Sequence, residues 1–286
     1  MPHKFRASQM GYYKQCPGRW ISSHGLPEET SEYAARGTRI HKAFEQYFSQ
    51  GTAPNLSDDE LDLCSRAIDE WKRISDGCER DFCETEVTLL NDADLGSCGG
   101  TCDAYCVMPD ESIEVFDLKT GWNPLPEEAV RFHLAIYLGA VMTAEDAQNG
   151  RATAYQPVNG NSVTVELTES DIWGVAEACL EVMQECVNEA IVLNPNEEAC
   201  KYCLAPRTCP GSRRVSTEIE AISHPKDVLG VLSREKRGEL VSKAKHVEAL
   251  VKETLAAAKD MLIKNPDAIE GFKLQERKNI ALVRDK

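Results

Sequence analysis

The sequence lacks three features that would each place it in a broad class of protein. It has no run of about 18 apolar residues, so no transmembrane helix is expected. Its first ten residues, MPHKFRASQM, contain no apolar signal core. Positive charge is also scarce, since 32 Lys and Arg side chains stand against 47 Asp and Glu side chains, for a formal net charge of -15. The chain is therefore expected to be cytoplasmic, with no membrane contact.

The negative charge also limits how a nucleic acid could bind. Phosphates are contacted mainly by Lys and Arg, so a broad nucleic-acid-binding surface is disfavoured. A narrow groove can still be locally basic on an acidic protein, and bound divalent cations offset the carboxylates of an active site. Charge alone therefore restricts a nucleic acid to a small part of the surface.

Hydrophobic periodicity predicts alternating helices and strands. Apolar residues recur at helical intervals over residues 31–50, 57–74, 126–147 and 169–192. Short strands are predicted at residues 84–90, 100–108 and 112–119, followed by a hairpin over residues 151–167 that turns at Asn159 and Gly160. These patterns indicate a mixed α/β core, and the length of 286 residues allows one such domain with an appendage.

The appendage is predicted after residue 214, where the composition changes. A long charged helix within residues 234–264 carries one apolar stripe, formed by Leu240, Ala244, Val247, Val251, Leu255, Ala258 and Leu262. Simple docking onto the rest of the chain, self-association and binding of a protein partner all fit this stripe. The expected domains are therefore residues 1–214 and residues 215–286, the second of unknown role.

Two carboxylates and a lysine form the main candidate site. Asp103 lies on one predicted strand, and Asp117 and Lys119 lie at the end of the next. Because side chains alternate along a strand, Asp117 and Lys119 point to one face, and a hairpin partner can bring Asp103 opposite them. Paired carboxylates bind Mg²⁺ or Mn²⁺, which activate water for phosphodiester hydrolysis, and the lysine can stabilise developing charge. An isolated Asp-x-Lys is more often a solvated strand face.

A histidine and a glutamate accompany this pattern upstream. His41 and Glu45 are four residues apart on a predicted helix and therefore share one face. A lone histidine is commonly structural, but one helical turn from an acid His41 could complete a metal shell.

The ordered motifs resemble the RecB-like PD-(D/E)XK nucleases, including the AddB nuclease domain and the cluster-bearing CRISPR-associated nucleases. Residues 36–41 with Glu45 look like the Gly-x-x-x-His-x-x-x-Glu helix of that family, residues 100–103 like its Gly-x-x-Asp strand, and residues 117–121 like its Asp-x-Lys-Thr-Gly segment. The resemblance implies a restriction-endonuclease-like core, a mixed sheet flanked by helices. It covers most of residues 1–214 and none of the appendage.

The same resemblance assigns roles to individual residues. It implies a metal site formed by Asp103, Asp117, His41 and the Leu118 carbonyl, with Lys119 as the catalytic lysine, and it matches Glu86 to an additional acidic position. The family usually continues with Gln-x-x-x-Tyr on a helix, where this chain has His133 and Tyr137. His133, Tyr137 and Glu45 are the expected substrate contacts. Since histidine titrates near neutrality, His133 is expected to alter the pH dependence.

Twelve cysteines are many for a chain expected in a reducing compartment, and they suggest metal ligands or buried thiols rather than disulfides. Cys200, Cys203 and Cys209 form a compact triplet before Pro210. Three thiolates are one short of the four that zinc or an iron-sulfur cluster usually takes. Cys102 and Cys106 are expected to be small core residues.

Cluster-bearing members of the resembled family supply the fourth ligand from a Cys-Pro near the N-terminus, which Cys16 matches here. The resemblance therefore implies a 4Fe-4S cluster on Cys16, Cys200, Cys203 and Cys209. A structural zinc with the same ligands is the alternative, followed by inert buried thiols.

The expected function is Mg²⁺- or Mn²⁺-dependent hydrolysis of DNA. The resemblance suggests an exonuclease that processes DNA ends in recombination or repair, in a phage or bacterium. The acidic surface favours an alternative, a cluster-stabilised scaffold with the nuclease fold that binds a partner without cleaving. An RNA nuclease would use the same metal chemistry.

Overall fold

The computed structural model describes residues 3–26, 32–52, 56–200, 203–205, 208–222, 225–275 and 281–284. The chain forms two compact units, one of Met1–Ile21 and Pro27–Val192 and the other of Ser22–Leu26 and Leu193–Lys286. The two units divide before Leu193. The domain boundary expected from the sequence, after residue 214, stays a prediction. None of the helices in the described ranges is long and apolar enough to cross a membrane.

The first unit contains a six-stranded mixed sheet. Its strands are β1 (His3–Arg6), β2 (Arg80–Asp92), β3 (Gly96–Val107), β4 (Ile113–Leu118), β5 (Asn149–Gln156) and β6 (Asn161–Thr168). One edge of β3 pairs with β2, antiparallel, and the other edge pairs first with β1, parallel, and then with β4, antiparallel. Strand β5 lies parallel to β4, and β6 is antiparallel to β5.

Helices cover both faces of this sheet. They are α1 (Ala7–Gln15), α2 (Gly18–Ser23), α3 (Glu32–Gln50), α4 (Asp58–Ile74), α5 (Glu127–Glu145) and α6 (Glu169–Val187). Val115 packs in a cluster with side chains of α1, α5 and α6, whereas the next residue of β4, Phe116, packs in a second cluster with side chains of α3 and α4. Since adjacent strand residues point to opposite faces, the two clusters lie on opposite sides of the sheet. The predicted mixed sheet flanked by helices is confirmed.

Local signals explain where several elements begin and turn. The Ser57 side chain accepts a hydrogen bond from the Glu60 backbone N–H, and the Glu60 carboxylate accepts one from the Ser57 backbone N–H, which caps α4 as its sequence predicts. Gly160, with φ of 73°, lies in the turn between β5 and β6. The strand predicted over residues 84–90 is longer in the structure, where it spans residues 80–92. The prediction was too short because the residues at both ends of the strand are polar and give no hydrophobic signal. Strand β1 has four residues, too few for periodicity to reveal.

The second unit is mainly helical. It contains α7 (Glu197–Cys200), α8 (Pro210–Glu220), α9 (Pro225–Val231), α10 (Arg234–Lys264), β7 (Phe272–Gln275) and β8 (Ala281–Arg284). In α10 the predicted apolar stripe is only partly covered, since Leu262 is 1% exposed while Val251 is 51% exposed. His246, also buried, lies 3.0 Å from the Ser212 hydroxyl of α8 through its Nε2. Helix α10 therefore docks on α8, and a partner or self-association for its exposed residues stays a prediction.

Candidate active site

The site forms where two neighbouring strands separate. On one edge of β3, pairing with β1 ends at Gly99 and pairing with β4 begins at Ala104. Asp103 lies in this interval, one position beyond the last pair, where the β3–β4 register places it opposite Asp117. Its Oδ2 accepts a hydrogen bond of 2.7 Å from the Leu118 backbone N–H. The topology thus brings the two predicted carboxylates to the same opening in the sheet.

Asp103 is tied to α3 through His41. The distance from His41 Nδ1 to Asp103 Oδ1 is 2.7 Å. Burial acts to raise the pKa of Asp103, but the charge and hydrogen bond of His41, the Leu118 N–H and the Lys119 charge together lower it. Burial acts to lower the pKa of His41, but the charge and hydrogen bond of Asp103 outweigh it and raise that pKa. Each partner therefore stabilises the charged form of the other.

Asp117 and Lys119 form the second pair, with Lys119 Nζ 2.7 Å from Asp117 Oδ2. This contact matches the shared face that strand alternation predicts. Asp117 is 4% exposed, and within the described residues its Oδ2 makes no hydrogen bond of normal geometry. The ammonium therefore offsets the charge of the carboxylate while leaving one of its oxygens short of a directional partner.

His133 approaches the same carboxylate from α5. Its Nε2 lies 3.7 Å from Asp117 Oδ1. That nitrogen is buried without a hydrogen-bond partner in the described part of the chain. Burial lowers the pKa of His133 to about 4, with Asp117 opposing the shift. The expectation that His133 titrates near neutrality is corrected, because this buried imidazole is neutral throughout the physiological range.

Two glycines of the motifs permit close approach. A methyl group at Gly37 on α3 would lie 2.8 Å from the Thr120 hydroxyl, and one at Gly100 on β3 would lie 2.7 Å from the Tyr137 hydroxyl. The Tyr137 ring in turn makes an edge contact with His133 at 4.3 Å between centroids. Residues of α3, β3, α5 and the segment after β4 therefore meet at one site because two positions have no side chain.

The acidic residues near the site include one on β2 that the sequence analysis did not name. Glu86 makes an exposed ion pair with Lys4, at 2.6 Å, and its match to the additional acidic position stays a prediction. Glu84 instead lies at the level of Asp103, since Cys83 pairs with Ala104 and Thr85 with Cys102.

Glu84 carries two signs of its position at the site. Its pKa is raised, mainly by burial and then by the charges of Asp103 and Glu45. Its φ is 49°, a left-handed conformation that costs a non-glycine residue on the order of 1–2 kcal/mol. Sequence reasoning missed Glu84, since nothing local marks a strand residue as left-handed. Glu45, half-buried one turn after His41, lies near Glu84 as this interaction requires.

The donor set fits a hard divalent cation. Asp103, Asp117 and the Leu118 carbonyl offer oxygen ligands, and His41 offers an imidazole nitrogen. Within the described residues, no three His, Cys, Asp or Glu side chains already converge on one point. A cation would therefore replace the His41–Asp103 hydrogen bond and the Lys119–Asp117 ion pair. The buried Asp117 oxygen, which has an ammonium nearby but no hydrogen bond of normal geometry, is the observation that fits such a ligand.

The four predicted cluster cysteines are divided between the two units. Cys16 ends α1 in the first unit and is 5% exposed. In the second unit Cys200 ends α7, Cys203 donates a backbone N–H to the Cys200 carbonyl, and Cys209 precedes α8. Elsewhere, Cys102 and Cys106 are fully buried core residues, as predicted.

The chain matches one family model and is similar to several solved structures. A family model described as "Protein of unknown function (DUF2800)" matches residues 4–282. No curated protein matches. A solved structure described as SSO0001 is 17% identical, with 73% of this chain and 87% of that chain covered and a TM-score of 0.35.

Two solved exonucleases are also similar. An alkaline exonuclease (LHK-Exo) from Laribacter hongkongensis is 13% identical over 63% of this chain and 88% of its own, with a TM-score of 0.29. A phage related exonuclease from Haemophilus somnus 129PT is 13% identical over 65% and 94%, with a TM-score of 0.30. TM-scores this low do not transfer an activity to this chain.

Proposed function

We propose that this chain, which belongs to the DUF2800 family, is a Mg²⁺- or Mn²⁺-dependent nuclease that hydrolyses DNA phosphodiesters. One observation carries the proposal: Asp103, held by His41, and Asp117, beside Lys119, meet at the opening between β3 and β4. One buried and one partly buried carboxylate, together with a histidine and an ammonium, are a costly arrangement for stability alone. They are the groups that metal-assisted hydrolysis requires.

The residues would divide the work as follows. Asp103, Asp117, His41 and the Leu118 carbonyl would hold the cation. A divalent cation bound there polarises a phosphodiester and acidifies a coordinated water. Lys119, released from its ion pair with Asp117, would donate hydrogen bonds to the water or to a phosphate oxygen and stabilise the developing negative charge. Glu84, with its raised pKa, lies where it can accept a proton or orient the imidazole of His41.

His133 and Tyr137 would position the bound DNA strand and the Asp117 carboxylate. Because His133 is buried and neutral, it offers one N–H donor and one acceptor, as a glutamine amide would offer its own. Its Nε2 lies close enough to Asp117 Oδ1 for a small movement to complete a hydrogen bond. Tyr137, packed over Gly100, keeps the imidazole in place from the side.

We further propose exonuclease action at DNA ends, in recombination or repair, on the resemblance to RecB-like nucleases. The competing scaffold function is favoured by the net charge of -15, which disfavours DNA on most of the surface. A retired nuclease would have no reason to retain Asp103, Asp117, Lys119 and His41 together. The proposed binding of DNA is therefore confined to the opening around these residues.

The 4Fe-4S cluster on Cys16, Cys200, Cys203 and Cys209 is part of the proposal. Soft thiolates suit iron-sulfur or zinc, and Cys200, Cys203 and Cys209 lie within ten residues of one another in the sequence, as the ligands of one metal site commonly do. Anaerobically purified protein should absorb near about 400 nm through iron-thiolate charge transfer. A colourless protein that contains zinc would replace the cluster and leave the nuclease proposal intact.

The function is tested with end-labelled linear DNA and anaerobically purified protein. Wild-type protein with Mg²⁺ or Mn²⁺ should shorten the strand, and chelation of the metal or Asp117→Ala should abolish shortening. A matched RNA strand distinguishes DNA from RNA hydrolysis, and a circular substrate distinguishes exonuclease from endonuclease action. A folded protein that cleaves none of these substrates would support the scaffold function.

A further inference from the structure

An exposed tryptophan stands directly beside the proposed catalytic segment. Trp122 is 63% exposed and follows Lys119 by three residues. Three residues of extended chain span at most about 11 Å, so the indole lies within a few nucleotides of any phosphate bound at the site. A single exposed aromatic residue is common on protein surfaces. Its significance therefore depends on how the ring is held and what surrounds it.

The loop that carries Trp122 is anchored by a buried glutamine at the end of β5. Gln156, at the end of β5, is fully buried. Its side-chain amide nitrogen donates hydrogen bonds to the carbonyls of Gly121 and Asn123, which flank Trp122, and its amide oxygen accepts one from Asn159 at 2.9 Å. Buried amide hydrogen bonds are costly to break without replacement. The exposed indole is therefore presented on a fixed backbone.

A cation accompanies the ring. The Arg36 guanidinium of α3 lies 5.8 Å from the centroid of the Trp122 ring. Within the described residues no carboxylate pairs with Arg36, whereas Arg39, one turn later, is paired with Glu32 and Glu60. On a chain with a net charge of -15, an arginine left without an acidic partner beside an exposed indole is well suited to an anionic, aromatic ligand.

The close contact of Gly37 with Thr120 fixes α3 against the same loop. Arg36 precedes Gly37, and Trp122 follows Thr120 by two residues, so one contact sets the relative position of the cation and the ring. The backbone that carries the pair is thus held close to the segment of Lys119. Such preorganisation lowers the cost of ordering a flexible ligand.

We propose that Trp122 and Arg36 form a stacking platform for an unpaired nucleobase, so that the site takes single-stranded DNA. This inference rests on the proposed nuclease function and names its substrate class. An indole can stack only on the face of a base that is unpaired or terminal, and stacking of this kind is independent of sequence. A duplex would need many Lys and Arg contacts along its phosphates, which the net charge of -15 disfavours.

Binding and cleavage by matched tryptophan variants test the platform. Affinity for labelled oligo(dT) is measured by fluorescence anisotropy with Mg²⁺ in an Asp117→Asn background, which prevents cleavage. Adding Trp122→Ala should weaken binding roughly 5- to 150-fold, the range expected for loss of one base stack. Trp122→Phe should restore most of it. Trp173→Ala, at an indole that is 76% exposed on α6, is the matched control and should change nothing.

Abasic substrates give a second measurement that a merely structural role would not affect. In a protein that retains Asp117 and Trp122, one missing base near the cleaved phosphate should slow cleavage relative to the intact strand. The Trp122→Ala variant should cleave the intact and the abasic strand at the same rate. Unchanged binding and cleavage of single strands by Trp122→Ala would overturn the platform and leave the nuclease standing. Equal weakening of single strands and blunt duplex would also overturn it. A wild-type protein that neither binds nor cleaves DNA would overturn both.

Discussion

Two buried acidic residues of β4 have opposite surroundings. Glu114, near the start of the strand, has both oxygens paired with the Arg151 guanidinium, at 3.0 and 2.7 Å. Asp117, at the end of the strand, has an ammonium 2.7 Å from one oxygen and an imidazole nitrogen 3.7 Å from the other. The first carboxylate is saturated by its own chain, and the second retains capacity for another ligand. Unsatisfied hydrogen-bonding capacity therefore distinguishes the acid that we propose to be functional from the one paired within the chain.

Asp117→Asn should have the largest effect on activity. The substitution keeps the side-chain volume but removes the charge proposed to bind the cation. Since metal binding is worth several kcal/mol in the transition state, cleavage should fall at least about 10³-fold. Thermal unfolding should change little, because the Lys119 ammonium that loses its partner is 28% exposed and can be solvated. End-labelled DNA cleavage and circular dichroism measure the two quantities. Retained activity with lowered stability would place Asp117 in the same class as Glu114.

Gly100→Ala should have the next largest effect on cleavage. The added methyl group would lie 2.7 Å from the Tyr137 hydroxyl, so the ring and the neighbouring His133 must move. A displacement of about 1 Å near a reacting centre can cost 10²-fold in rate. Gly160→Ala, in a turn remote in sequence from the site, is the control for strain alone, with φ of 73°. If the Gly100→Ala variant were as active as the control, the position of Tyr137 would not matter for cleavage.

The sequence predicted much of this site for a physical reason. Strand alternation and helical spacing are local rules, and they correctly paired Asp117 with Lys119 and placed His41 on a helix that reaches Asp103. Glu84 could not be predicted, because its left-handed backbone and its position opposite Asp103 result from sheet register. The pKa of His133 also depends on burial that only tertiary packing creates. Local rules predicted which side chains lie together, and long-range packing determined their neighbours and the direction of their pKa shifts.

Glu114→Gln should lower stability and leave the activity of folded protein unchanged. The neutral amide cannot match the bidentate pairing of the guanidinium, but Arg151 is 46% exposed, so water compensates in part. A loss of about 1–3 kcal/mol is expected, measured by urea unfolding. A double-mutant cycle with Arg151→Gln should recover part of this loss, since both charges are then absent. Additive losses would show that the two residues do not act as a pair.

The lowered pKa of His133 should be visible in the pH dependence of the free energy of unfolding of the metal-free protein. Its pKa is about 4 in the folded protein, below the ordinary value of 6.5, so the unfolded chain binds the proton first as the pH falls. Stability should therefore decrease from about pH 6.5 to about pH 4, and His133→Gln should flatten that part of the profile. His41 has a raised pKa, so its contribution to stability is present below pH 6.5 and is lost at higher pH. The two histidines can thus be separated by urea unfolding across pH.

Glu86→Ala should have the smallest effect, and it tests the position that the motif suggested against the one that the fold provides. Both partners of the Glu86–Lys4 ion pair have side chains 67% exposed, so its loss should cost at most about 1 kcal/mol and leave cleavage unchanged. Glu84→Gln is the paired variant, because Glu84 faces the charges of Asp103 and Glu45. It should reduce cleavage while preserving the fold. If Glu86→Ala instead lost activity and Glu84→Gln kept it, the acidic residue of the site would be the one that the motif suggested.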